Sequence, residues 1–176
     1  MNKKDIFRFI AHLVFRPRQF NDKHLKQFAK GVKKKKILEL GSGKPAKGKY
    51  YYSAKRFFDK SNDFLQSDVT PKYGHKVIDA TKMDFNQEFD IILAMSILEH
   101  IYDFHSALKN IYRALKPGGI ALFIVPGSYP LHDEPGDYWR FTEHALRKLL
   151  KDYTKVKIKH SGIRQYPFMY YAEAVK

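Results

Sequence analysis

The sequence predicts an α/β protein built on a mostly parallel β-sheet with helices on both faces. Short apolar runs alternate along the chain with segments of helical periodicity, the order expected for such a sheet. Residues 89–95 form a continuous apolar run with a single acid, typical of a strand covered on both faces. Three predicted strands end at or beside an acid, namely Glu39, Asp68 and Asp79. Because right-handed crossovers bring such strand ends to one edge, where ligands bind, we expect these carboxylates to lie together.

Composition places the chain among globular proteins of one domain. It has 176 residues, of which 44% are hydrophobic and 15% aromatic. The absence of cysteine excludes disulfides, thiolate metal sites and a cysteine nucleophile. No apolar run approaches the roughly 18 residues of a membrane span, and no signal-peptide pattern is evident, so we expect a cytoplasmic protein.

The charge is strongly positive. Thirty-three Lys and Arg against 18 Asp and Glu give a net charge of +15. Such a surplus favours an anionic partner, which would be a nucleic acid, an acidic glycan or nucleotide, or a lipid surface. The alternative is a solvated, lysine-rich surface without a dedicated partner.

We predict that the first 32 residues form an N-terminal helical segment. Residues 5–15 carry apolar side chains at helical spacing with Lys and Arg around them, and Pro17 breaks that pattern. We expect the segment to cover the ligand site as a lid or to pack against the domain of residues 33–176. The alternative is that the apolar face of this segment, with the basic residues around it, binds an anionic membrane, which would make the cytoplasmic protein peripheral to that membrane.

The remaining elements follow from apolar runs and from the residues that begin or end them. Asp103 caps a helix with one apolar stripe, which Pro-Gly-Gly at 117–119 ends. A loop rich in Pro, Gly, His and Asp leads to a further helix capped by Thr142. The predicted strands lie at 37–40, 64–68, 76–79, 89–95, 120–125, 155–160 and 170–175. The predicted helices run from Asn21 or Asp22 to Gly31, and at 47–59, 103–115 and 142–151.

The turn after the first strand, Gly41-Ser42-Gly43, has the pattern of a ligand-holding turn. Glycine takes positive φ without strain and lets the backbone approach a ligand closely. We expect Glu39 to face the ligand, because a carboxylate suits ammonium or hydroxyl groups better than a phosphate. Asp68 lies 25 residues beyond the turn, a spacing that fits binding of ribose hydroxyls. The alternative is that Asp68 and Asp79 only cap the turns that follow them.

The strand-end acids do not show the pattern of a metal site. No His or Asp pair lies at ligand spacing with them. We therefore expect no bound metal at this edge and favour a cationic ligand with several hydroxyl groups.

Six segments together resemble the class I S-adenosylmethionine (SAM)-dependent methyltransferases, from about Ile37 to Val125. They are Leu38–Gly43, Asp68, Asp79-Ala80, Phe89–Ile92, Ile97-Leu98-Glu99-His100 and Ala114–Gly119. The last segment closes a helix before an apolar strand and makes the set specific. The resemblance implies a Rossmann-like, seven-stranded, mostly parallel sheet whose last strand is antiparallel.

The same resemblance implies SAM as the cofactor and a site made by the strand ends. It assigns the methionine part to Glu39, Gly41, Ser42 and Gly43, both ribose hydroxyls to Asp68, adenine to Asp79 and Ala80, and the methionyl amine with the reacting methyl to Met95.

The segment His132–Thr142 lies where we expect the acceptor to bind. It resembles a methyltransferase subgroup with an Asp-Tyr-Trp-Arg-Phe-Thr segment, often associated with sugar or cell-envelope metabolism. Tyr138 and Trp139 would stack on a ring, and Arg140 would clamp an anionic group. In the alternative, Trp139 plugs the core, Arg140 pairs with a nearby acid and Thr142 only caps.

We expect transfer of a methyl group to a small-molecule, sugar or glycan acceptor carrying negative charge. The protein would chiefly supply position and a water-poor pocket. His100 and His132 are the candidate general bases, with a structural role in its turn as the alternative for His100. Three other functions stay open at this point: RNA methylation, a nucleotide-dependent oxidoreductase suggested by the loose fingerprint Gly41-x-Gly43-x-x-Ala46, and a basic nucleic-acid-binding module.

Overall fold

The computed structural model describes residues 16–44, 53–133 and 135–176, and within them one sheet of seven strands with three α-helices. The strands are β1 (Lys36–Leu40), β2 (Asp63–Asp68), β3 (Lys76–Val77), β4 (Phe89–Met95), β5 (Leu115–Pro126), β6 (Lys155–Ile163) and β7 (Tyr166–Val175). The helices are α1 (Pro17–Ala29), α2 (Phe104–Ala114) and α3 (Glu143–Leu149). Three 3₁₀ helices lie at Ala54–Phe57, Pro71–Tyr73 and Leu98–His100.

The strand order β3-β2-β1-β4-β5-β7-β6 confirms the Rossmann-like sheet. Strands β1 to β5 pair in parallel, whereas β7 is antiparallel to both β5 and β6. The order reverses between β1 and β4, and in open α/β sheets ligands bind outside the carboxyl ends of the strands at such a point. The site is therefore expected where β1, β2 and β4 end.

The central strand β4 shows how the sheet is covered on both faces. Side chains alternate across a strand, so Ile91 and Leu93 face one side while Ile92 and Ala94 face the other. All four are at most 4% exposed. The Ile91 face packs with Leu25 and Ala29 of α1, and the Ile92 face packs with Ala107 and Ile111 of α2. These two apolar clusters hold the strand ends in fixed positions.

The predicted caps of α2 and α3 are present. Asp103 Oδ1 accepts a hydrogen bond from the N–H of Ser106 at 3.1 Å. Thr142 Oγ1 accepts one from the N–H of Ala145, also at 3.1 Å. A side-chain acceptor at this position satisfies a backbone donor that the first helical turn leaves unpaired, which explains where both helices begin.

The prediction that α1 begins at Asn21 or Asp22 is wrong. The helix begins at Pro17 and ends at Ala29, because proline at the first helical position has the φ that a helix needs and lacks only an N–H that would be unpaired. The prediction of a helix at 5–15, and of the part of the 47–59 helix at 47–52, falls outside the described residues. Within 53–59 the chain forms only the 3₁₀ helix Ala54–Phe57.

The Lys-Pro-Gly-Gly segment differs from the predicted turn, because it belongs to a β5 that already begins at Leu115. Leu115 pairs with Phe89 and Ile120 pairs with Ile91, so the register shifts and the intervening residues bulge out of the strand. Gly118 supplies a positive φ of 73° at this bulge and donates its N–H to Lys176 O.

Among the described residues, no helix has the length and apolar character needed to cross a membrane.

Candidate active site at the carboxyl edge of the sheet

The glycine turn after β1 is built as the sequence suggests. Gly41 and Gly43 have φ values of 67° and 66°, which glycine adopts without strain. The N–H of Ser42 between them donates to Ser67 O at 2.8 Å, which ties the turn to β2. A Cβ placed on Gly41 would collide with the side chain of Ile97, so the turn lies directly against the segment that follows β4.

Glu39 does not face an open ligand space, contrary to our expectation. Its side chain is fully buried, and its carboxylate accepts hydrogen bonds from Ser42 Oγ at 2.7 Å, from Ser53 Oγ and from the N–H of Ala54 at 2.6 Å. Burial raises the pKa of the Glu39 carboxyl, and the three donors oppose that rise. Glu39 therefore holds Ser42 and the glycine turn from beneath.

Asp68 joins the end of β2 to the glycine turn. The carboxylate is 7% exposed, with Oδ2 accepting from the N–H of Gly43 at 3.0 Å and Oδ1 accepting from the N–H of Thr70 at 3.1 Å. Each carboxylate oxygen can accept a second hydrogen bond, so both roles considered for Asp68 remain compatible. His75 Nε2 lies 2.9 Å from Gly43 O and holds the other side of the turn.

Asp79 adopts the turn-capping arrangement named as the alternative. Its Oδ1 accepts from the N–H of Thr81 at 2.9 Å and from Thr81 Oγ1 at 2.7 Å. Partial burial works against the lowering of the Asp79 pKa, but these hydrogen bonds and Lys82 outweigh it. Ala80 is buried, and its carbonyl accepts from Asn110 Nδ2 at 3.1 Å. Adenine contact by Asp79 and Ala80 stays a prediction.

Met95, the last residue of β4, is half-buried and packs at the margin of the α1-side core. The chain then turns sharply, because Ser96 has a φ of 51° and donates its N–H to Ile124 O at 2.7 Å. This turn directs the 3₁₀ helix Leu98–His100 over the carboxyl end of the sheet. Met95 is thereby placed between the glycine turn and the loop after β5.

The loop after β5 is anchored on the segment that follows β4. The carbonyl of Glu99 accepts from the N–H of Tyr138 at 2.8 Å and from the N–H of Trp139 at 3.3 Å. The Nδ1–H of His100 donates to Gly136 O at 2.7 Å. These bonds fix the position of residues 135–139 relative to the end of β4.

Arg140 is not available to clamp an anionic acceptor, which corrects that part of the sequence interpretation. Its five N–H donors are used within the loop, two of them on Asp137 at 2.6 and 2.7 Å. The other three donate to the carbonyls of Tyr129, Pro130 and Trp139. The Asp137 carboxylate is fully buried, and hydrogen bonds from Arg140 hold its pKa well below the usual range. Arg140 therefore sets the shape of the loop.

The two aromatic residues of the loop separate into different roles. Trp139 is half-buried against the α2-side core, donates its Nε1–H to Ile101 O at 3.2 Å and lines a cavity of about 660 Å³ between α2 and α3. Tyr138 is 49% exposed and lies 5.4 Å, edge to face, from the ring of Tyr102, which is 73% exposed. Tyr138 and Tyr102 thus present aromatic surface to solvent, whereas Trp139 plugs the core.

His100 and His132, predicted separately as bases, lie together with a third group that the sequence interpretation did not assign to the site. Their rings are perpendicular with centroids 5.0 Å apart. One potential ligand atom each from Glu99, His100 and His132 lies within 4.8 Å of the other two. The pair Glu99-His100 is adjacent in sequence, but only closure of the β5 loop brings His132 to it.

The donor set at this edge fits SAM. The glycine turn exposes the Gly41 backbone and is bonded to the carboxylate of Asp68, whose remaining lone pairs suit hydroxyl groups, while Asp79 follows β3 and Met95 ends β4. The fold and this edge together define an α/β protein of the kind that binds ligands at the carboxyl ends of its strands. The chain matches a family model described as a methyltransferase domain over residues 11–158, and it belongs to that family. This membership supports the expected methyltransferase over the oxidoreductase and the non-enzymatic nucleic-acid module.

Relatives and solved structures agree with this assignment. A ubiquinone biosynthesis O-methyltransferase of Bradyrhizobium sp. is 33% identical over 117 residues, which are 54% of this chain and 46% of the relative. The chain thus matches less than half the length of that relative. The N-methyltransferase NodS of Bradyrhizobium japonicum has a similar structure, with a TM-score of 0.67 at 16% identity over 92% of this chain and 97% of its own. A SAM-dependent methyltransferase of Archaeoglobus fulgidus gives a TM-score of 0.66 at 16% identity, over 96% and 99%.

Proposed function

We propose that the protein methylates a hydroxyl oxygen of a small aromatic molecule. The observation that carries this proposal is the cluster of Glu99, His100 and His132, because a group that accepts a proton is needed where a hydroxyl becomes a nucleophile. The relative named above is a ubiquinone biosynthesis O-methyltransferase, which supports the same reaction type.

In this proposal the strand ends hold the cofactor. Asp68 binds the ribose hydroxyls with the lone pairs that Gly43 and Thr70 leave, and Asp79 and Ala80 contact the adenine. Gly41 and Gly43 bring backbone close to the methionine part, with Glu39 acting through Ser42. When bound, SAM supplies an electrophilic methyl group on a sulfonium.

The exposed aromatic surface is the second support. The rings of Tyr102 and Tyr138 contact each other edge to face, and the N–H of Tyr138 donates to the carbonyl of Glu99, so the pair is tied to the segment that carries Glu99 and His100. Offset or edge-to-face contacts with an aromatic ring contribute about 0.5–1.5 kcal/mol each, enough to orient a small planar acceptor. Because Arg140 is saturated inside the loop, this acceptor does not need negative charge.

The chain's own residues then position the acceptor for an in-line displacement. The acceptor oxygen forms the new C–O bond as the methyl–sulfur bond breaks, and the hydroxyl proton leaves to a base. In their neutral forms His100 and His132 each keep one ring nitrogen that can take this proton. The loop excludes water by packing Trp139 against the core.

Two measurements test the proposal. Titration of S-adenosylhomocysteine into the protein reports cofactor binding on its own. Transfer of labelled methyl groups is then measured for a catechol, an aniline, a monosaccharide and an RNA oligonucleotide under the same conditions. We expect a methyl ether of the catechol. The proposal is contradicted if label is found only in the amine, the sugar or the RNA. It is also contradicted if none of the four is labelled although S-adenosylhomocysteine binds.

A further inference from the structure

We propose that Glu99, His100 and His132 bind one divalent transition-metal ion at the carboxyl end of β4. One potential ligand atom from each residue lies within 4.8 Å of the other two. Two ligand atoms that share a tetrahedral ion at about 2.1 Å are roughly 3.4 Å apart, so each pair of groups needs to close by about 1.4 Å at most. No sequence spacing announces this site, because His132 reaches it from the loop after β5.

The hydrogen bonds of the two histidines leave one nitrogen of each ring free to bind a metal. His100 Nδ1 lies 2.7 Å from Gly136 O, and a carbonyl only accepts, so Nδ1 carries the proton and Nε2 keeps the lone pair. His132 Nδ1 lies 3.2 Å from both Pro130 O and a carboxylate oxygen of Asp137, which likewise only accept. Neutral His132 therefore also presents Nε2.

Glu99 supplies the observation that points to a cation. Its side chain is 1% exposed, and within the described part of the chain no group donates to Oε2. A buried carboxylate oxygen without a partner is costly, and a metal ion would satisfy it.

The surroundings support a bound cation in the way known metal sites do. The buried carboxylate of Asp137 accepts from the backbone N–H of His132 at 2.8 Å and lies 3.2 Å from His132 Nδ1, a position like that of the carboxylates commonly found behind metal-bound histidines. The guanidinium of Arg140 is paired with Asp137 and does not donate a hydrogen bond to Glu99.

The donor set selects the kind of metal. Two imidazole nitrogens and one carboxylate suit ions of the iron-to-zinc series, whereas magnesium and calcium prefer oxygen ligands. Three protein ligands leave a coordination position open, as in catalytic sites. If the proposed function also holds, the ion would replace the two histidines as the activating group, because their nitrogens would then be ligands: it would lower the pKa of an acceptor hydroxyl, whose proton would leave to water. Metal binding itself does not depend on that function.

Binding of Co²⁺ to untagged, chelator-treated protein tests the inference through the visible absorption of the bound ion. We expect one equivalent to bind, Zn²⁺ to displace it and excess Mg²⁺ not to displace it. His132→Gln and Glu99→Gln should each weaken binding at least tenfold, whereas His144→Gln, on an exposed histidine of α3, should bind as the wild type does. Circular dichroism and S-adenosylhomocysteine titration of each variant verify that fold and cofactor site persist.

The outcomes separate this inference from the proposed function. The metal site is overturned if folded His132→Gln binds Co²⁺ as tightly as the wild type does. It is also overturned if the chelator-treated wild type binds no Co²⁺ and still methylates catechol fully. Stoichiometric Co²⁺ binding that requires Glu99 and His132 supports the site even when catechol is not methylated, which would contradict only the proposed function.

Discussion

Asp68 Oδ2 accepts the N–H of Gly43 at 3.0 Å, so the carboxyl end of β2 is bonded directly to the turn that follows β1. Both residues belong to the predicted cofactor site, and 25 positions of sequence separate them. The bond makes the conformation of the glycine turn depend on the residue expected to bind ribose. Substitutions at Asp68 should therefore affect the cofactor twice, through the lost hydroxyl contacts and through a loosened turn.

We predict that Asp68→Ala weakens binding of S-adenosylhomocysteine by about 10- to 100-fold. Hydrogen bonds to charged groups contribute about 1.5–3 kcal/mol each, and 1.4 kcal/mol corresponds to a factor of ten in affinity. Asp68→Asn keeps one acceptor for Gly43 and should lose less. Asp63→Asn, at the exposed start of the same strand, is the matched control and should leave the affinity unchanged in calorimetric titration. Equal affinities of Asp68→Ala and Asp63→Asn would remove Asp68 from the site.

A second prediction separates backbone strain from steric collision at two glycines of positive φ. Gly74→Ala places a methyl group in open space at a φ of 73°, and we expect only the strain cost of about 1–2 kcal/mol. Gly41→Ala at a φ of 67° also collides with Ile97, which should add about 1–3 kcal/mol. Urea denaturation of both variants measures the difference. The double variant Gly41→Ala, Ile97→Ala should lose the collision term; if Gly41→Ala and Gly74→Ala are equally stable, the contact with Ile97 has no energetic weight.

The sheet was predictable because its signal is local. The run Phe89–Met95 has the same bounds in the sequence prediction and in the structure, since an apolar segment covered on both faces has no competing interpretation. The caps Asp103 and Thr142 were predictable for the same reason, because each bonds a residue three positions ahead. Where one residue has two local interpretations, as Pro17 does, the sequence alone could not decide between the end of one helix and the start of another.

The orientation of site residues was not predictable, because it depends on partners far away in sequence. Glu39 turns inward since Ser53 and Ala54, beyond the glycine turn, supply donors for its carboxylate. Arg140 is saturated only because the loop closes and presents carbonyls as well as Asp137. The Glu99–His132 approach is of the same kind. A motif names the residue types at a site, whereas loop closure determines which of their atoms remain free.

We predict that Arg140→Lys destabilises the protein by about 2–3 kcal/mol and leaves the charge of the loop unchanged. Lysine offers one ammonium in place of a planar fork, so the buried Asp137 carboxylate loses a paired donor and three loop carbonyls lose theirs. Arg147→Lys is the control, since its exposed pair with Glu143 one helical turn away contributes about 0.5 kcal/mol or less. Urea denaturation compares the two. If Arg140→Lys lowers the free energy of unfolding no more than Arg147→Lys does, the structural role of Arg140 is contradicted. A selective rise in KM for anionic acceptors in Arg140→Lys would instead indicate that Arg140 binds the acceptor.

The last prediction concerns pH and Asp90, which joins the amino-terminal ends of three strands. Its Oδ2 accepts from the N–H of Lys36 at 2.8 Å and from Lys116 Nζ at 2.9 Å. Partial burial opposes the lowering of the Asp90 pKa, but these donors outweigh it and hold it below its ordinary 3.8. An acid with a depressed pKa in the folded state stabilises the protein above its unfolded pKa, and this stabilisation is lost as pH falls through the folded value.

Asp90→Asn should therefore cost about 1–2 kcal/mol at pH 7, and the difference from wild type should shrink as the pH is lowered below about 3.8. Asp84→Asn is the control, because its side chain is 91% exposed in its pair with Arg113 and should contribute little at either pH. Urea denaturation at neutral and acid pH provides both differences. If Asp90→Asn lowers the free energy of unfolding equally at both pH values, the substitution acts through side-chain packing. The charge of Asp90 would then not hold β1, β4 and β5 together.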